Sequence, residues 1–541
     1  MNSRRTRTVV ALLAVSSILL LAAAGGAVPG LLSAGPFGGD ATADRPDDPT
    51  TEETVGYVEG YWHDDELAVD DREGAVVEDD ELEAVVYRSM ARVEEIRGLT
   101  FDEEVSVDVV TRAEFEENNS EVFGAADGDE RIRLNVEGEA LFAVDNETDA
   151  TDERDALYGG AVGGYYEPGT DRVVVVSDDV DEPSVDEPVL GHELGHALQD
   201  QRFDIGSYNR STVDRDNAKN GLVEGDATRI ETEYETRCEA GWSCLDAAAS
   251  GDGSANLNWV LYATIFQPYS DGPDYVEHLL GTDDPSGDDW GAVDAAYDDP
   301  PASSSEVIRP GTEREPAGVD VEDRSNESWS QLEVDGEPAT ETYGEAGLVA
   351  MFAGDALDSL EPSVIDRESF LTERTGEYDY DHSYTDGWAG DELVTYVPDG
   401  ASADDPTAAA DRSGYVWETE WTSSEEAEQF LAGYREQLEL EGADPVADRR
   451  DTYVIDEEFP GAYYLEHDGE TVTIVHAPTV AELSAVDEGA APSGEDEIDP
   501  EDVDSNDGTT GDDDETIPGF GVPAALVAVA AVVAVAIRAR D

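Results

Sequence analysis

Two histidines one helical turn apart, with a glutamate beside the first, are the residues best suited to chemistry. They form the motif His192-Glu193-Leu194-Gly195-His196. Residues four apart lie on one helix face, so both imidazoles can reach a single zinc ion. Glu193 would lie beside that ion, where it can take a proton from the attacking water. The motif therefore predicts Zn²⁺ as a cofactor, His192 and His196 as ligands and Glu193 as the catalytic base.

A catalytic zinc site needs a third protein ligand and one open position. The extended spacing HExxHxxGxxH is absent, because position 202 is arginine, so a third histidine on the same helix is disfavoured. Carboxylates on a second helix, expected over about 217–237, are the alternative source. Glu224 is the best candidate there, and Asp226 and Glu231 are the other contenders.

Three segments together resemble the catalytic core of zincin metallopeptidases: 165–177, 192–201 and 222–227. A glutamate 28 residues after the second histidine resembles the gluzincins, in which a following helix supplies the last ligand. This resemblance implies Glu224 as that ligand and Asp226 as the residue that holds a ligand histidine in its working tautomer. Gluzincins usually have the aspartate four residues after the glutamate, whereas two separate them here, so the choice of carboxylate stays open. The resemblance also implies an edge strand, at Arg172 to Ser177, that pairs with extended peptide substrate.

Acidic residues dominate the composition, with 131 Asp and Glu against 30 Lys and Arg and a formal net charge of −101. Nucleic acid is excluded as a partner, because binding phosphates requires a basic surface. In molar salt the Debye length falls to about 3 Å, which screens most of the self-repulsion. The lysine-poor, acid-rich balance resembles that of proteins from extreme halophiles and indicates adaptation to the solvent.

Both ends of the chain carry targeting patterns. Basic residues before an apolar run predict a signal peptide over 1–28, with Sec and Tat export both open. At the other end, Pro518-Gly519-Phe520 precedes an apolar run and two arginines. This tail resembles haloarchaeal PGF-CTERM sorting signals, which implies an archaeosortase-type processing enzyme as a partner and a lipid anchor; a plain transmembrane helix is the alternative. The flanking arginines favour the cytoplasm, so the residues between are predicted to lie at the extracellular face of the membrane.

The whole chain therefore resembles a family of haloarchaeal cell-surface proteins, and the fold class expected for both globular parts is α+β. The HExxH helix is expected from about Pro188 to Gln201, with Ser184 and Glu187 at capping-box spacing. The predicted order of parts is signal peptide 1–28, linker 29–53, zincin-like catalytic domain 54–310, linker 311–338, smaller C-terminal α+β domain 339–485, acidic disordered stalk 486–517, and sorting signal or transmembrane segment 518–541.

Two further patterns suit an exported protein. Cys238 and Cys244, the only cysteines, are expected to form a short disulfide loop. Sequons that predict glycosylation begin at four asparagines: Asn118, Asn146, Asn209 and Asn326.

These patterns together predict a cell-surface zinc metallopeptidase that hydrolyses peptide or protein substrates, with Glu193 as general base. The alternative from another class is a non-proteolytic cell-envelope binding or structural protein that retains a zinc site. A third reading is a zincin that acts on a non-peptide amide or ester. The oxyanion donor would be a tyrosine or histidine, although packing is the commoner role for each candidate: Tyr165, Tyr166, Tyr234, His278 and His382.

Overall fold

The computed structural model describes residues 45–70, 72, 75–115, 126, 128–161, 164–167, 170, 172–177, 180, 183–245, 257–281, 290–312, 316–357, 362–372 and 377–498. The predicted signal peptide, the segment 518–541, the sequon at Asn118 and the stalk beyond 498 lie outside these residues. Within them, no helix combines the length and apolarity needed to cross a bilayer.

The described chain is mixed α+β. Its α-helices, in chain order, are α1 (Asp79–Arg97), α2 (Gly128–Ala140), α3 (Ala150–Ala161), α4 (Glu187–Phe203), α5 (Val213–Ala240), α6 (Trp259–Leu280), α7 (Gly291–Asp298), α8 (Ser304–Ile308), α9 (Gly344–Ala353), α10 (Arg367–Phe370), α11 (Pro406–Ala410), α12 (Ser424–Leu440) and α13 (Val480–Val486). Two short 3₁₀ turns occur at Ile205–Ser207 and Gly354–Leu357.

The strands form two larger sheets and two small hairpins. They are β1 (Tyr57–Val58), β2 (Tyr61–Trp62), β3 (Ser106–Thr111), β4 (Gly164–Glu167), β5 (Arg172–Ser177), β6 (Trp329–Gln331), β7 (Glu333–Val334), β8 (Glu337–Pro338), β9 (Thr340–Glu341), β10 (Trp388–Pro398), β11 (Gly414–Trp421), β12 (Asp444–Pro445), β13 (Thr452–Ile455), β14 (Gly461–Asp468) and β15 (Thr471–Ala477). The eight-stranded sheet has the order β12-β13-β14-β15-β11-β10-β6, with β9 also paired to β10.

The sheet nearest the HExxH helix in sequence has three strands in the order β3-β5-β4. Strands β4 and β5 pair antiparallel, and β3 runs parallel to β5. The expectation that Arg172–Ser177 is an edge strand is therefore wrong, because β5 is paired on both sides. The edges of this sheet are β3 and β4. The parallel strand β3 comes from a distant part of the chain, so local sequence does not predict this pairing.

The helices form where the apolar spacing predicts them. In α1 the residues at helical spacing, from Leu82 to Ile96, are all buried. The helix ends at Gly98, whose φ of 73° and N–H bond to the Glu94 carbonyl make a left-handed cap. The start of α4 differs from the expected capping box. Asp186 is the N-cap, accepting from the Val189 N–H, so Glu187 is left to point into the core.

The helical region and the large sheet share one hydrophobic cluster. Residues of α2 and α6, such as Val136 and Val260, belong to the same cluster as Trp417 and Leu465 of the sheet. Phe142, just after α2, contacts Phe459 and Tyr463, with ring centroids 5.3 and 6.1 Å away. A second cluster lies between α1, α4 and α5 and surrounds the start of the HExxH helix.

Candidate metal centre

The HExxH helix α4 is anchored by its first residue, Glu187. Its carboxylate accepts hydrogen bonds from Arg88 Nη2 (3.0 Å), Arg92 Nη1 (2.6 Å) and the Tyr234 hydroxyl (2.7 Å). All four side chains are fully buried. Two guanidinium groups offset the buried negative charge, and this fixes the start of α4 relative to α1 and α5.

Two glycines let α4 approach α5 closely. A Cβ at Gly191 would lie 2.8 Å from Tyr234 Cδ2, and one at Gly195 would lie 3.1 Å from Ile230 Cδ1. A Cβ at position 191 would force the buried Tyr234 ring to move, whereas one at position 195 would be a tight contact that a small shift of Ile230 could relieve. This separation places the two motif histidines within reach of Glu224 on α5.

Three side-chain atoms converge between the two helices. Glu224 Oε2 lies 3.3 Å from His192 Nε2 and 3.4 Å from His196 Nε2. The three ligand atoms lie within 4.8 Å of one another, and all three residues are buried. This is the only such cluster of metal-ligating groups within the described residues. Glu224, the first choice among the three carboxylates, is therefore the one that faces both imidazoles.

The spacing of these atoms fits a metal ion. A tetrahedral zinc site with bonds of about 2.0–2.1 Å separates neighbouring ligand atoms by about 3.3–3.4 Å. The two nitrogen–oxygen distances match that separation and exceed the roughly 2.7–2.9 Å of a charge-assisted hydrogen bond. His196 Nε2 is also buried without a hydrogen-bond partner, an arrangement that is costly unless a ligand compensates it. The cluster can hold a metal ion, and zinc belongs to the proposal below.

The other ring nitrogen of each imidazole faces a polar side chain. His196 Nδ1 lies 2.9 Å from Gln199 Oε1, a hydrogen-bond contact. His192 Nδ1 lies 3.1 Å from Glu231 Oε2, an ion-pair contact without hydrogen-bond geometry. Gln199 is itself held, because its Nε2 donates to the Val223 carbonyl. Such partners fix the tautomer in which Nε2 is the metal-binding nitrogen.

Sequence spacing contained a signal for both orienting residues. Gln199 lies three residues after His196 on α4, and Glu231 lies seven residues after Glu224 on α5, which puts each on the face of its helix that carries a ligand. The HExxH motif alone does not indicate Gln199, and the sequence predicts Glu231 only as a possible metal ligand.

Asp226 does not hold a ligand histidine, in contrast to the role implied by the gluzincin resemblance. Its carboxylate accepts hydrogen bonds from Arg97 Nε (2.9 Å) and the Tyr297 hydroxyl (2.7 Å). The two-residue offset from Glu224 explains this, because two residues rotate a helix by about 200°, so Asp226 faces away from the metal centre. It ties α5 to α1 and α7 instead.

Without a metal ion, the charges of the cluster favour protonation of the two histidines. Burial disfavours a charged imidazole, but the adjacent Glu224 and Glu231 carboxylates outweigh it and raise the pKa of His192 well above its ordinary value. Burial alone would raise the pKa of Glu224, but the two adjacent imidazoles hold the pKa of that carboxyl well below its usual range. Metal ions must displace these protons, so metal affinity falls as the pH is lowered.

Glu193 is buried, with a relative exposure of 1%, and directly follows the ligand His192. Two candidate oxyanion donors have other hydrogen-bond partners. The Tyr166 hydroxyl donates to Asp200 (3.0 Å), and the Tyr234 hydroxyl donates to Glu187.

The remaining three candidates lie on different elements. Tyr165 packs on Phe115, with ring centroids 5.8 Å apart, His278 lies in the last turn of α6, and His382 stacks on Tyr384.

Cys238 and Cys244 form the predicted disulfide, which lies at the end of α5. Among the described sequons, Asn209 and Asn326 are exposed and Asn146 is half-buried. Glycosylation at these residues stays a prediction.

Comparison with known proteins places only the C-terminal part. Residues 330–487 match a family described as a domain of unknown function, DUF8575. No curated protein and no solved structure matches the chain. The matched segment overlaps the predicted C-terminal domain 339–485 and begins after the metal centre, so it assigns no activity to the HExxH helix.

Proposed function

We propose that this protein is a zinc-dependent metallopeptidase of the gluzincin type, with His192, His196 and Glu224 as the metal ligands. The observation that carries the proposal is the convergence of their three ligand atoms at 3.3 and 3.4 Å beside a buried Glu193. Two imidazoles, one carboxylate and an open fourth position are the donor set of catalytic zinc in hydrolases.

Each residue then has a defined task. Zinc, when bound, supplies a Lewis acid that polarises the substrate carbonyl and lowers the pKa of water. Glu193 accepts the proton of the attacking water and returns it to the leaving amine. Glu231 and Gln199 hold the two imidazoles in the ligating orientation. The buried surroundings strengthen the electrostatic contribution of every group, because few water molecules screen them.

The test combines metal content with hydrolysis of casein in about 3 M salt, a concentration that screens the acidic surface. We expect one zinc per chain and measurable hydrolysis. Glu193→Gln retains the zinc and loses hydrolysis by at least a hundredfold, because the base is removed while the ligands remain. Glu239→Gln, an exposed change on α5, serves as the matched control. Zinc retained with no hydrolysis of any peptide would favour the structural alternative, and absence of zinc would refute the proposal.

The proposal includes the location of the enzyme. We propose export by the N-terminal signal, processing by an archaeosortase-type enzyme and anchoring at the extracellular face of the membrane. The support is the sequence pattern at 1–28 and 518–541 together with the Cys238–Cys244 disulfide, which suits an oxidising compartment. Cell fractionation of the tagged full chain, with and without residues 518–541, tests this. Release into the medium on deletion is expected, and retention in the cytoplasm would contradict it.

A further inference from the structure

A cavity of about 340 Å³ lies next to the part of α5 that precedes the metal ligand Glu224. Its wall includes Asn217 and Asn220 of α5, together with residues of α2, α3 and α6. Asn217 and Asn220 lie within about 40° of Glu224 around the helix axis and about 6–10 Å before it along the axis. That distance corresponds to roughly two or three residues of extended peptide.

The cavity wall gathers arginines in a strongly acidic chain. Three of the 30 basic residues, Arg133, Arg154 and Arg210, line it. Arg133 is neutralised by carboxylates, since it contacts Glu130 at 2.6 Å and Glu137 at 2.8 Å. It is therefore part of the wall rather than a free binding group.

Arg210 has an unused hydrogen-bonding edge. Its Nη1 contacts Asp216 at 2.8 Å, while Nε and Nη2 are buried and have no hydrogen-bond partner. The side chain is 8% exposed, so the missing bonds are not supplied by bulk water. Nε and Nη2 form the fork of donors that binds a carboxylate through two parallel hydrogen bonds.

Arg154 supplies a second available cation from α3. Its side chain is half-buried in the cavity wall and forms no hydrogen bond or ion pair with any described residue. The three acids of the wall contact other arginines: Glu130 and Glu341 contact Arg133, and Asp216 contacts Arg210. The buried Glu137 attracts Arg154 from a distance without forming an ion pair with it. Apolar side chains complete the lining, including Leu134, Leu157 and Leu261. An anionic group on a short aliphatic stem fits this combination.

We propose that the cavity binds a carboxylate of the substrate through Arg210 and Arg154, which gives the enzyme a preference for acidic peptides. The peptide part of this inference rests on the proposed function, whereas the carboxylate site does not. The carboxylate belongs either to an Asp or Glu side chain two or three residues from the scissile bond or to a peptide C-terminus.

The experiment uses the full-length, zinc-loaded Glu193→Gln protein, because this variant should bind peptides without hydrolysing them. Affinity is measured by calorimetric titration in high salt. Three probes distinguish the sources: a capped peptide with one Glu, its Gln counterpart, and the Gln peptide with a free C-terminus. Relative to the capped Gln peptide, we expect at least tenfold tighter binding of one carboxylate-bearing probe. Adding Arg154→Gln or Arg210→Gln abolishes that difference, whereas adding Arg412→Gln, the loss of an exposed arginine outside the cavity, preserves it.

Each outcome is decisive. Tighter binding of the Glu probe assigns the site to a side chain, and tighter binding of the free C-terminus assigns it to a chain end. Equal affinity for all probes, or a preference that survives both cavity substitutions, overturns the inference. Circular dichroism checks each variant, and Arg154→Gln decides if Arg210→Gln fails to fold. If the wild-type protein hydrolyses peptides without preferring acidic ones, only the carboxylate site is refuted. If it binds the carboxylate but hydrolyses no peptide, only the proposed peptidase activity is refuted.

Discussion

Two buried carboxylates are stabilised in opposite ways. One lies among α1, α4 and α5, here called the metal region, and the other lies in the eight-stranded sheet. Glu187 at the start of the HExxH helix is bound by the guanidinium groups of Arg88 and Arg92. Asp391 in β10 accepts only from uncharged donors, at 3.0–3.1 Å: the backbone N–H groups of Tyr343 and Gly344 and the indoles of Trp388 and Trp417. Burial raises the pKa of Asp391 despite these four bonds.

The difference shows how each region is built. The buried carboxylate of the metal region is compensated by opposite charges, which fixes its orientation but leaves a large penalty when one partner is removed. The sheet region is stabilised by packed aromatic side chains, among them Trp417 and Tyr463. Its buried Asp391 is stabilised by the dipoles of uncharged N–H donors. We therefore expect substitutions in the two regions to differ in both size and pH dependence.

The largest effect is expected from Glu187→Gln. The substitution leaves Arg92 buried without a compensating charge and Arg88 with Asp70 as its remaining carboxylate partner. This should lower the free energy of unfolding by about 3–5 kcal/mol. Guanidinium chloride titration of the full chain measures it, with Glu239→Gln as the exposed control. A loss below about 1 kcal/mol would show that charge compensation does not anchor α4.

Glu94 tests whether the type of donor, rather than the region, sets the pH response. It lies in α1 of the metal region, yet it accepts from the neutral backbone N–H groups of Gly56 and Phe101, and burial raises its pKa to about 8. Its folded pKa lies above the unfolded value of 4.5, so its contribution to stability is complete below pH 4.5 and declines as the pH rises to 8. Over that range we expect a loss on the order of 4 kcal/mol.

Unfolding experiments at pH 4.5, 6 and 8 on the wild type and Glu94→Gln measure this. The variant should show a flatter pH profile, and parallel profiles would contradict the assignment.

A smaller loss is expected from Asp391→Asn. The new amide keeps one acceptor oxygen but turns its NH₂ toward donors, which leaves hydrogen bonds unmade and costs about 1–3 kcal/mol. Denaturant unfolding compares it with Asp399→Asn, just beyond the same strand, where the residue is exposed. If Asp391→Asn were as costly as Glu187→Gln, the distinction between the two regions would fail.

Gln199→Ala is expected to change the stability of the fold least and to weaken metal binding specifically. Loss of the His196 partner should weaken metal binding about 10- to 100-fold with little change in folding. Competition with a chelator measures the affinity. Gln201→Ala is the control, because Gln201 is on the same helix but bonds to the backbone of Asp102 and Glu103 at the surface. Equal affinities for the two variants would remove Gln199 from the metal centre.

Local spacing predicted much of the site but little of its surroundings. The i,i+4 histidines and Glu224 come together as expected, because a helix fixes the spacing of the histidines and small residues allow the close approach of α4 and α5. The role of Asp226 and the pairing of β5 on both sides could not be predicted, because each depends on elements far away in the chain. The cavity arginines were missed for the same reason, since Arg154 and Arg210 meet only when α3 packs near α5.

The cluster shared by the helices and the large sheet has a consequence for modularity. Residues 330–487 are recognisable as a unit of sequence, but Phe142 packs against Phe459 and Tyr463 of that unit. The described residues from 45 to 498 also form one compact body by their contacts. Cutting the chain at 329 would expose apolar surface on both fragments, so we expect the matched segment to be less stable alone than in the full chain. Heating should accordingly melt the helices and the sheet in one cooperative transition.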